Sequence, residues 1–389
     1  MTTELSSAAA TDIGRKLVTE VLMPLKAAFV GKDEVIDLLG VCLAGGENLF
    51  ILGPPGTAKS ALVQELGRRI EGRVFDYLLT RFTEPNELFG PFDIRKLREG
   101  ELITNTEGML PEASLVFLDE LLNANSAILN SLLMVLNERV FRRGRETRKL
   151  PLLMVVGASN RLPEDDALAA LFDRFLLRVQ CDNVGDDRLA DVLGAGWLLE
   201  AGQLERRVGL TVDDLRALQR QLSDVDMVAL RPKYVELVRN LRKAGIPVSD
   251  RRAVKLQRLV AASALLCGRR QANATDLWVL RYIWDADEQR EVIAALVDRT
   301  VEQVEPEAQA ASHPRARGRN APDPEELARD LARLEGRWSA DGHNDVDRAV
   351  LRDQLSLLAG RCQWLPDAQQ RTFFEQRVES LWQQWGGVS

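Results

Sequence analysis

Short apolar runs alternate with helical patterns over the first half of the chain. The runs are nearly continuous rather than alternating, which is typical of strands in a parallel sheet covered on both faces. A helix is predicted at Ser126–Asn137, where leucine and isoleucine recur every three or four residues. This half is therefore predicted to be α/β, with βαβ units around a central parallel sheet. The candidate strands are Asn48–Leu52, Val74–Leu79, Leu115–Leu118, Leu152–Ala158 and Leu176–Gln180.

Beyond the last predicted strand, amphipathic helices predominate. One is predicted to begin at Thr211, which forms a capping-box pattern with Asp214, and another begins at Ser249 or Asp250. A third is predicted to run from position 276 to about position 297. We interpret these helices as a separate all-helical domain.

The segment Val304–Pro324 is rich in proline, alanine, glycine and charge, which predicts a linker or long loop. Three segments with apolar stripes at helical spacing follow it. Such stripes usually pack within one chain, and a docking face for a partner protein is the alternative. The predicted division is 1–186 for the α/β core, 187–300 for the all-α domain, 301–324 for the linker or long loop and 325–389 for the C-terminal helical region.

Composition limits the function classes. The 389 residues, 46% of them hydrophobic, suffice for about two or three globular domains. A net charge of -7 provides no global basic field, which argues against nucleic acid as a partner. The scattered cysteines and histidines predict neither a disulfide framework nor a zinc site. Without a secretory leader or an apolar run of about 18 residues, the chain is predicted to be cytoplasmic and to lack a membrane span.

The first predicted strand is followed by a glycine-bearing turn, Gly53-Pro54-Pro55-Gly56-Thr57-Ala58-Lys59-Ser60, and by a helical run from Ala61. Such a turn aims backbone N–H groups and a positive helix end at a phosphate group. Lys59 is predicted to reach the outer phosphates, and Ser60 to ligate Mg²⁺. Ala58 stands where the strict P-loop pattern has glycine, and we expect it to need a negative φ. The alternative is a turn that only connects two elements.

Polar side chains end two further predicted strands. Asp119 and Glu120 follow one of them, and Asn160 lies at the end of another. In a P-loop fold, Asp119 suits the Mg²⁺ shell and Glu120 suits polarisation of an attacking water. Asn160 is a candidate to position the same water. Taken alone, the acids could be an ordinary solvated strand end, and the asparagine a turn former.

Other nucleotide chemistries fit less well. No N-K-x-D guanine motif is found, and two adjacent acids suit attack by water better than transfer to a bound acceptor. A cluster of arginines, Arg139, Arg142, Arg143 and Arg145, is compatible with a basic pore, although such a run is more often an exposed hairpin. The acidic balance argues against a DNA helicase.

The motifs GPPGTAKS, LVFLDE and GASN resemble Walker A, Walker B and sensor 1 of AAA+ ATPases of the MoxR family, many of which carry alanine at the position of Ala58. Longer runs, among them LLTRFTEPNELFGPFDI and AILNSLLMVLNERVFRRG, are similar to the regulatory ATPase variant A (RavA) branch. The resemblance covers roughly residues 15–265. It implies an AAA+ P-loop core, an all-α lid, and a hexameric ring that binds ATP and Mg²⁺ between subunits.

The resemblance also implies roles outside the P-loop. Val30 and Gly31 match the family's box beside the adenine, although Val30 could equally be a core residue. Arg174, in the motif Asp173-Arg174-Phe175, matches the arginine finger that enters the neighbouring subunit's nucleotide site. Arg178 is the alternative finger.

The motif Ser249-Asp250-Arg251-Arg252 matches sensor 2 of the lid. Arg251 is the expected contact to the γ-phosphate, with Arg252 as the alternative. Residues from about 83 to 111 correspond to the family's helix 2 insert, and residues 139–150 to the hairpin before sensor 1. Both are expected near the opening of the ring.

The function implied by the resemblance is ATP-driven, chaperone-like remodelling or maturation of a client protein, commonly with a von Willebrand factor A domain partner. Two alternatives stay open: a nucleotide-gated assembly or scaffold with little turnover, and a chelatase-type motor subunit. Fuller members of the RavA branch contact lysine decarboxylase through a small β-rich insertion. No such segment is predicted here, so that partner is not expected.

Overall fold

The computed structural model of the chain describes residues 12–143, 146–163, 166–202, 209–302, 312–317, 324–339, 345–362, 365 and 367–385. It divides into two compact units, Met1–Thr300 and Val301–Ser389. None of the helices in the described ranges combines the length and hydropathy needed to cross a bilayer.

A five-stranded parallel sheet, with strand order β2-β3-β6-β1-β7, forms the centre of the first unit. Strands β1 and β6 are buried along their whole length, as the continuous apolar runs predict. The predicted strands are confirmed, with ends that shift by two residues at most. The sheet strands are β1 Leu49–Leu52, β2 Val74–Leu78, β3 Leu115–Asp119, β6 Met154–Ser159 and β7 Leu177–Gln180, and β4 Val140–Arg143 pairs with β5 Glu146–Lys149 in an antiparallel hairpin.

Helices cover both faces of the sheet. A π-helix at Leu17–Leu22 leads into the first of them. The helix α6 contains the predicted Ser126–Asn137 and begins at a cap in which Asn125 Oδ1 accepts from the amides of Ala127 and Ile128. The helices are α1 Met23–Ala28, α2 Asp33–Gly45, α3 Lys59–Arg69, α4 Pro85–Phe89, α5 Ile94–Arg98, α6 Ser126–Glu138 and α7 Asp166–Phe172.

From residue 186 to residue 302 the described part of the chain is helical, as predicted. Thr211 and Asp214 form the expected capping box, and the Ser249 hydroxyl caps the following helix at the amide of Arg252. The predicted boundary after residue 186 falls in a 3₁₀ turn, Asp186–Arg188, and stays a prediction. These helices are α8 Leu189–Glu200, α9 Val212–Arg220, α10 Arg231–Lys243, α11 Asp250–Leu266, a 3₁₀ helix at Ala274–Tyr282, and α12 Gln289–Glu302.

The prediction of one helix over positions 276–297 is wrong, because the helical structure is interrupted there. A 3₁₀ helix ends at Tyr282, and the next α-helix begins at Gln289. Arg178 of β7 and Arg252 of α11 both donate to the backbone carbonyl of Ile283, which therefore does not serve a continuing helix. The apolar pattern continues across the break and conceals it in the sequence.

The second unit contains the three predicted C-terminal helices, α13 Pro324–Ser339, α14 Asp345–Cys362 and α15 Ala368–Gln384. Their apolar stripes meet in one buried cluster that includes Leu331, Leu355 and Leu381, so they pack within the chain. Most of the predicted linker, 303–311 and 318–323, lies outside the described residues. Between these segments, Pro314–Arg317 forms a 3₁₀ turn.

Candidate functional site

The glycine-bearing turn connects the carboxyl end of β1 to the start of α3, as a phosphate-binding loop requires. The side chain of Lys59 is buried in this loop. Its ammonium donates to the carbonyls of Gly53 at 3.0 Å and Pro54 at 2.7 Å, and lies 3.4 Å from the Thr57 hydroxyl. These bonds place a positive charge directly under the loop, where phosphate oxygens would lie.

Ala58 adopts φ 64°, in the left-handed region, so the expected negative φ is wrong. Ala58 is the residue that turns the chain into α3, and its side chain is exposed, which leaves room for the methyl group. A left-handed conformation costs an L-residue about 1–2 kcal/mol. The loop therefore keeps a P-loop conformation with a strained alanine where the strict pattern has glycine.

The variant Ala58→Gly is expected to stabilise the fold by about 0.5–1 kcal/mol, because relief of the strain outweighs the extra entropy of an unfolded glycine. Urea denaturation should show a higher midpoint. Ala61→Gly is the matched control, since Ala61 is an exposed residue of the first turn of α3. Glycine is a poorer helix former than alanine, so this variant should unfold at a lower urea midpoint. A lower midpoint for Ala58→Gly would contradict the strain at this position.

Asp119 and Glu120 end β3 at the same edge of the sheet as the loop. The amide of Glu120 donates to the Asp119 carboxylate at 3.0 Å, and Glu120 adopts φ 49°. Partial burial, and next the charge of Asp119, raise the pKa of Glu120, while the charges of Lys59 and Arg161 act in the opposite direction. Glu120 is thus a half-buried carboxylate within electrostatic reach of the P-loop lysine.

Asn160 follows β6, the neighbour of β1, and is exposed. The amide of Gly53 donates to the Ser159 carbonyl at 2.9 Å, so the ends of the two strands are tied together. A cavity of about 660 Å³ is lined by Gly53, Pro54, Pro55 and Asn160, among others. The structure thereby brings Asn160 and the P-loop to one cavity.

Val30 and Gly31 lie between α1 and α2. Val30 is buried, as the core interpretation predicts, and Gly31 has φ 72°. A Cβ on Gly31 would lie 2.9 Å from a methyl of Val184, so this position requires glycine for both conformation and space. Gly31 therefore lies against Val184, in the segment that leads from β7 to α8.

One residue at this edge escaped the sequence analysis. Asp76, inside β2, accepts a hydrogen bond of 2.6 Å from the Ser60 hydroxyl and one of 3.0 Å from the Gln64 side-chain amide. The only signal in the sequence is a carboxylate within a predicted strand of a covered sheet, where charged groups are rare without a partner.

Arg174 lies at the opposite edge of the sheet, where the strands begin. Its backbone carbonyl accepts from the side-chain amide of Asn48, the residue before β1. Its guanidinium pairs with Asp173 at 2.6 Å, and its side chain is 23% exposed. Asp173 also lines a cavity of about 800 Å³ together with Ser249, the first residue of the motif Ser249-Asp250-Arg251-Arg252.

Arg251 is at that same edge. It is exposed, and it donates to the Asn137 side chain near the end of α6 at 2.8 Å. Arg139, two residues after Asn137, donates to the side chain of Asn48, the residue before β1, at 2.8 Å. The structure therefore places Arg251 and Arg174 at the edge where the strands begin, away from the P-loop of their own chain.

The alternative arginines are buried. Arg178 is fully buried and pairs with Asp285 at 2.8 Å, and Arg252 is 4% exposed and pairs with the same carboxylate at 2.9 Å. Burial, and next the charge of Arg252, lower the pKa of Arg178 to about 9. The two guanidinium groups thus connect β7 to the helical half of this unit.

The helix 2 insert, about residues 83–111, and the hairpin, residues 139–150, contact each other. Arg143 of β4 donates to the Gly90 carbonyl at 2.7 Å and lies 3.9 Å above the ring of Phe92. Arg148 of β5 donates to the Thr106 hydroxyl at 2.9 Å.

A basic pore finds little support among the described arginines. Arg139 is half-buried, and the burial of its guanidinium lowers its pKa to about 10. Arg142 pairs with Glu138 at 3.3 Å. Arg143 is used within the fold, and Arg145 lies outside the described residues.

Comparison with known proteins agrees with the fold. Residues 15–220 match the model of the MoxR domain in the MoxR-vWA-beta-propeller ternary systems, and residues 225–297 match an AAA lid domain. A crystal structure of an inferred ATPase from Cytophaga hutchinsonii aligns with a TM-score of 0.64 at 17% identity, over 78% of this chain and 99% of that chain. At that identity the likeness shows the fold alone.

Relatives in sequence point to the same family. Two uncharacterised proteins of Methanocaldococcus jannaschii are 36% and 35% identical over 67% of this chain, and 68% and 69% of their own lengths. The chaperone MoxR1 of Mycobacterium tuberculosis is 27% identical over 42% of this chain and 43% of its own. With its parallel sheet, P-loop and helical lid, the chain belongs to the MoxR family of AAA+ ATPases.

Proposed function

We propose that this chain hydrolyses ATP at sites shared between neighbouring copies of a homo-hexameric ring, and that hydrolysis remodels or matures a client protein. The observation that carries the proposal is the separation of two sets of residues. The P-loop, Asp119, Glu120 and Asn160 lie where the strands of the sheet end, whereas Arg174 and Arg251 lie where the strands begin.

The distance between these two edges of the sheet is larger than an arginine side chain can span. Strand β1 alone spans about 13 Å between the two edges. An extended arginine side chain reaches roughly half as far, so neither Arg174 nor Arg251 can serve the P-loop of its own chain. A neighbouring copy could face this P-loop with the edge of the sheet where its strands begin, and would then supply both guanidinium groups. Such a contact is heterologous, the kind that closes into a ring.

The residues at the P-loop edge have distinct proposed roles. Lys59 binds the outer phosphates of ATP, and the loop amides at the start of α3 bind the others. Glu120, with its raised pKa, accepts the proton of the attacking water, and Asn160 holds that water. The proposed nucleotide contacts are Val30, Gly31, Gly53, Pro54, Pro55, Gly56, Thr57, Ala58, Lys59, Ser60, Ala61 and Asp119.

The donor set at this edge fits Mg²⁺. Ser60 offers a hydroxyl, and Asp119 offers a carboxylate at the end of β3, and such hard oxygen donors are the ligands that Mg²⁺ takes alongside phosphate. Ser60 and Asp119 would hold the ion, which neutralises phosphate charge when bound. A different carboxylate, that of Asp76, accepts the hydrogen bond from the Ser60 hydroxyl.

Exposure of the side chains supports one arginine of each alternative pair. Arg174 is partly exposed and Arg251 is exposed, so both are available to a neighbour's γ-phosphate. Arg178 and Arg252 are buried on Asp285, and freeing either one would leave buried charge unpaired. We therefore assign the finger to Arg174 and sensor 2 to Arg251.

The partner we propose is a protein with a von Willebrand factor A domain, because the matching family model is that of MoxR domains in systems with such a protein and a β-propeller. A cytoplasmic location is part of the same proposal. Membership of the RavA branch stays a prediction from the motif runs.

The rate of ATP hydrolysis per subunit is expected to fall as the purified chain is diluted and its ring dissociates, because a lone subunit lacks the completing arginines. Steady-state hydrolysis and sedimentation would be measured over the same concentration range, with Lys59→Ala as the background. A rate per subunit that stays constant through complete dissociation would refute the shared site.

A further inference from the structure

The Asp76 carboxylate accepts hydrogen bonds from two side chains of the phosphate-binding helix α3. It lies in the middle of β2, and it accepts from the Ser60 hydroxyl at 2.6 Å and from Gln64, one turn further along α3, at 3.0 Å. A hydroxyl-to-carboxylate bond of this length is charge-assisted and strongly directional. The orientation of the Ser60 hydroxyl is therefore set by Asp76.

The sheet places Asp76 beside the acidic end of β3. The register pairs Asp76 with Phe117 and Leu78 with Asp119, so Asp76 and Asp119 project from the same face of adjacent strands. Their Cα atoms are about 8 Å apart by strand geometry. Ser60 thus has one carboxylate that holds its proton, and a second one nearby on the same face.

We propose that Asp76 is a positioning residue for cation binding, which acts by taking the Ser60 proton into a hydrogen bond and leaving the Ser60 oxygen free to ligate Mg²⁺. The inference rests on the proposed function. A serine hydroxyl has one proton and two lone pairs, and a proton directed at the cation would oppose ligation. With the proton fixed on Asp76, a lone pair remains available. Gln64 in turn fixes the carboxylate.

A merely structural role for Asp76 predicts a different result. A bond that only ties α3 to β2 would, when lost, weaken nucleotide binding to a similar degree with and without Mg²⁺. A positioning role acts only when the cation is bound, and loss of such outer partners typically costs about 10- to 100-fold in metal affinity. The ratio of the two affinities separates these possibilities.

The experiment is calorimetric titration of the full chain with ADP, in MgCl₂ and in EDTA. For Asp76→Asn, the factor by which Mg²⁺ tightens ADP binding is expected to fall about 10-fold, while the Kd in EDTA stays within about twofold of wild type. The same substitution in a Ser60→Ala background should change this factor no further, because Asp76 acts through Ser60. Gln64→Ala, which keeps the carboxylate but frees it to move, should reduce the factor by a smaller amount, about threefold.

Several results would overturn the proposal. Asp76 would have only a structural role if Asp76→Asn left the Mg²⁺-dependent tightening of ADP binding unchanged. The same would follow if Asp76→Asn reduced this tightening equally in the wild-type and Ser60→Ala backgrounds. If Asp76→Asn does not fold by circular dichroism, Gln64→Ala decides, and an unchanged factor there has the same meaning. Wild-type protein that binds no ADP would instead refute the proposed function, and this inference with it.

Discussion

Arg174→Ala is expected to lower the steady-state rate of ATP hydrolysis by about 10³-fold or more, the range found for arginine fingers. The guanidinium neutralises charge that develops on the transferred phosphoryl group. Affinity for ADP, measured by calorimetry, should stay within about threefold of wild type, because the P-loop of each chain is unchanged.

Mixing variants gives the sharpest control for Arg174. Lys59→Ala has an intact Arg174 but a defective P-loop, so each variant alone is expected to be inactive. In an exchanged one-to-one mixture, half of the P-loops are intact and half of those face an intact Arg174, which predicts about a quarter of the wild-type rate per subunit. Arg239→Ala, an exposed arginine of α10, is the matched control and should hydrolyse normally. A mixture without recovered activity would argue that each site is built within one chain.

The sequence predicts the sheet and the P-loop edge well, because both depend on local pattern. Buried parallel strands are continuous apolar runs, and the carboxyl ends of parallel strands share one edge of the sheet. Once the P-loop is recognised, a P-loop fold therefore predicts Asp119, Glu120 and Asn160 near it. The role of Lys59 is predicted from its position in the glycine-bearing turn alone. Such inferences require no knowledge of distant contacts.

Other features depend on residues far apart in the chain. The interruption of the helix between Tyr282 and Gln289 follows from Arg178 and Arg252, which bind Asp285 from 107 and 33 positions away in the sequence. The spacing of hydrophobic residues carries no information about such contacts. Asp76 was missed for the same reason, since its relation to Ser60 follows from how α3 packs on β2 rather than from a fixed spacing.

The left-handed Ala58 and Glu120 illustrate a third limit. Residue preferences predict negative φ for both, yet the loop bonds around Lys59 and the turn after Asp119 impose φ 64° and 49°. Strained backbone of this kind costs about 1–3 kcal/mol and persists where the surrounding structure enforces it, often at functional sites. Ala58 belongs to the proposed phosphate-binding loop and Glu120 is the proposed general base, so both strained residues lie at the proposed site.

Glu120→Gln is expected to lower the rate of hydrolysis by about 10²- to 10⁴-fold, the contribution of a general base, while ATP remains bound. Glutamine keeps the shape of the side chain but cannot accept the proton of the attacking water. The half-buried site that raises the pKa of Glu120 also makes it a better base than an exposed carboxylate. Gel filtration after incubation with ATP and MgCl₂ should recover unhydrolysed ATP with the variant, and ADP with wild type.

Glu236→Gln provides the matched control for Glu120, because it makes the same substitution at an exposed position of α10, away from the P-loop. It should turn over and release ADP like wild type. Recovery of ADP with Glu120→Gln at a wild-type rate would exclude Glu120 as the base, and the water would then have to be activated by another group at the P-loop edge. Loss of ATP binding together with hydrolysis would instead indicate that Glu120 supports the loop, since a base contributes to the chemical step and not to the affinity for ATP.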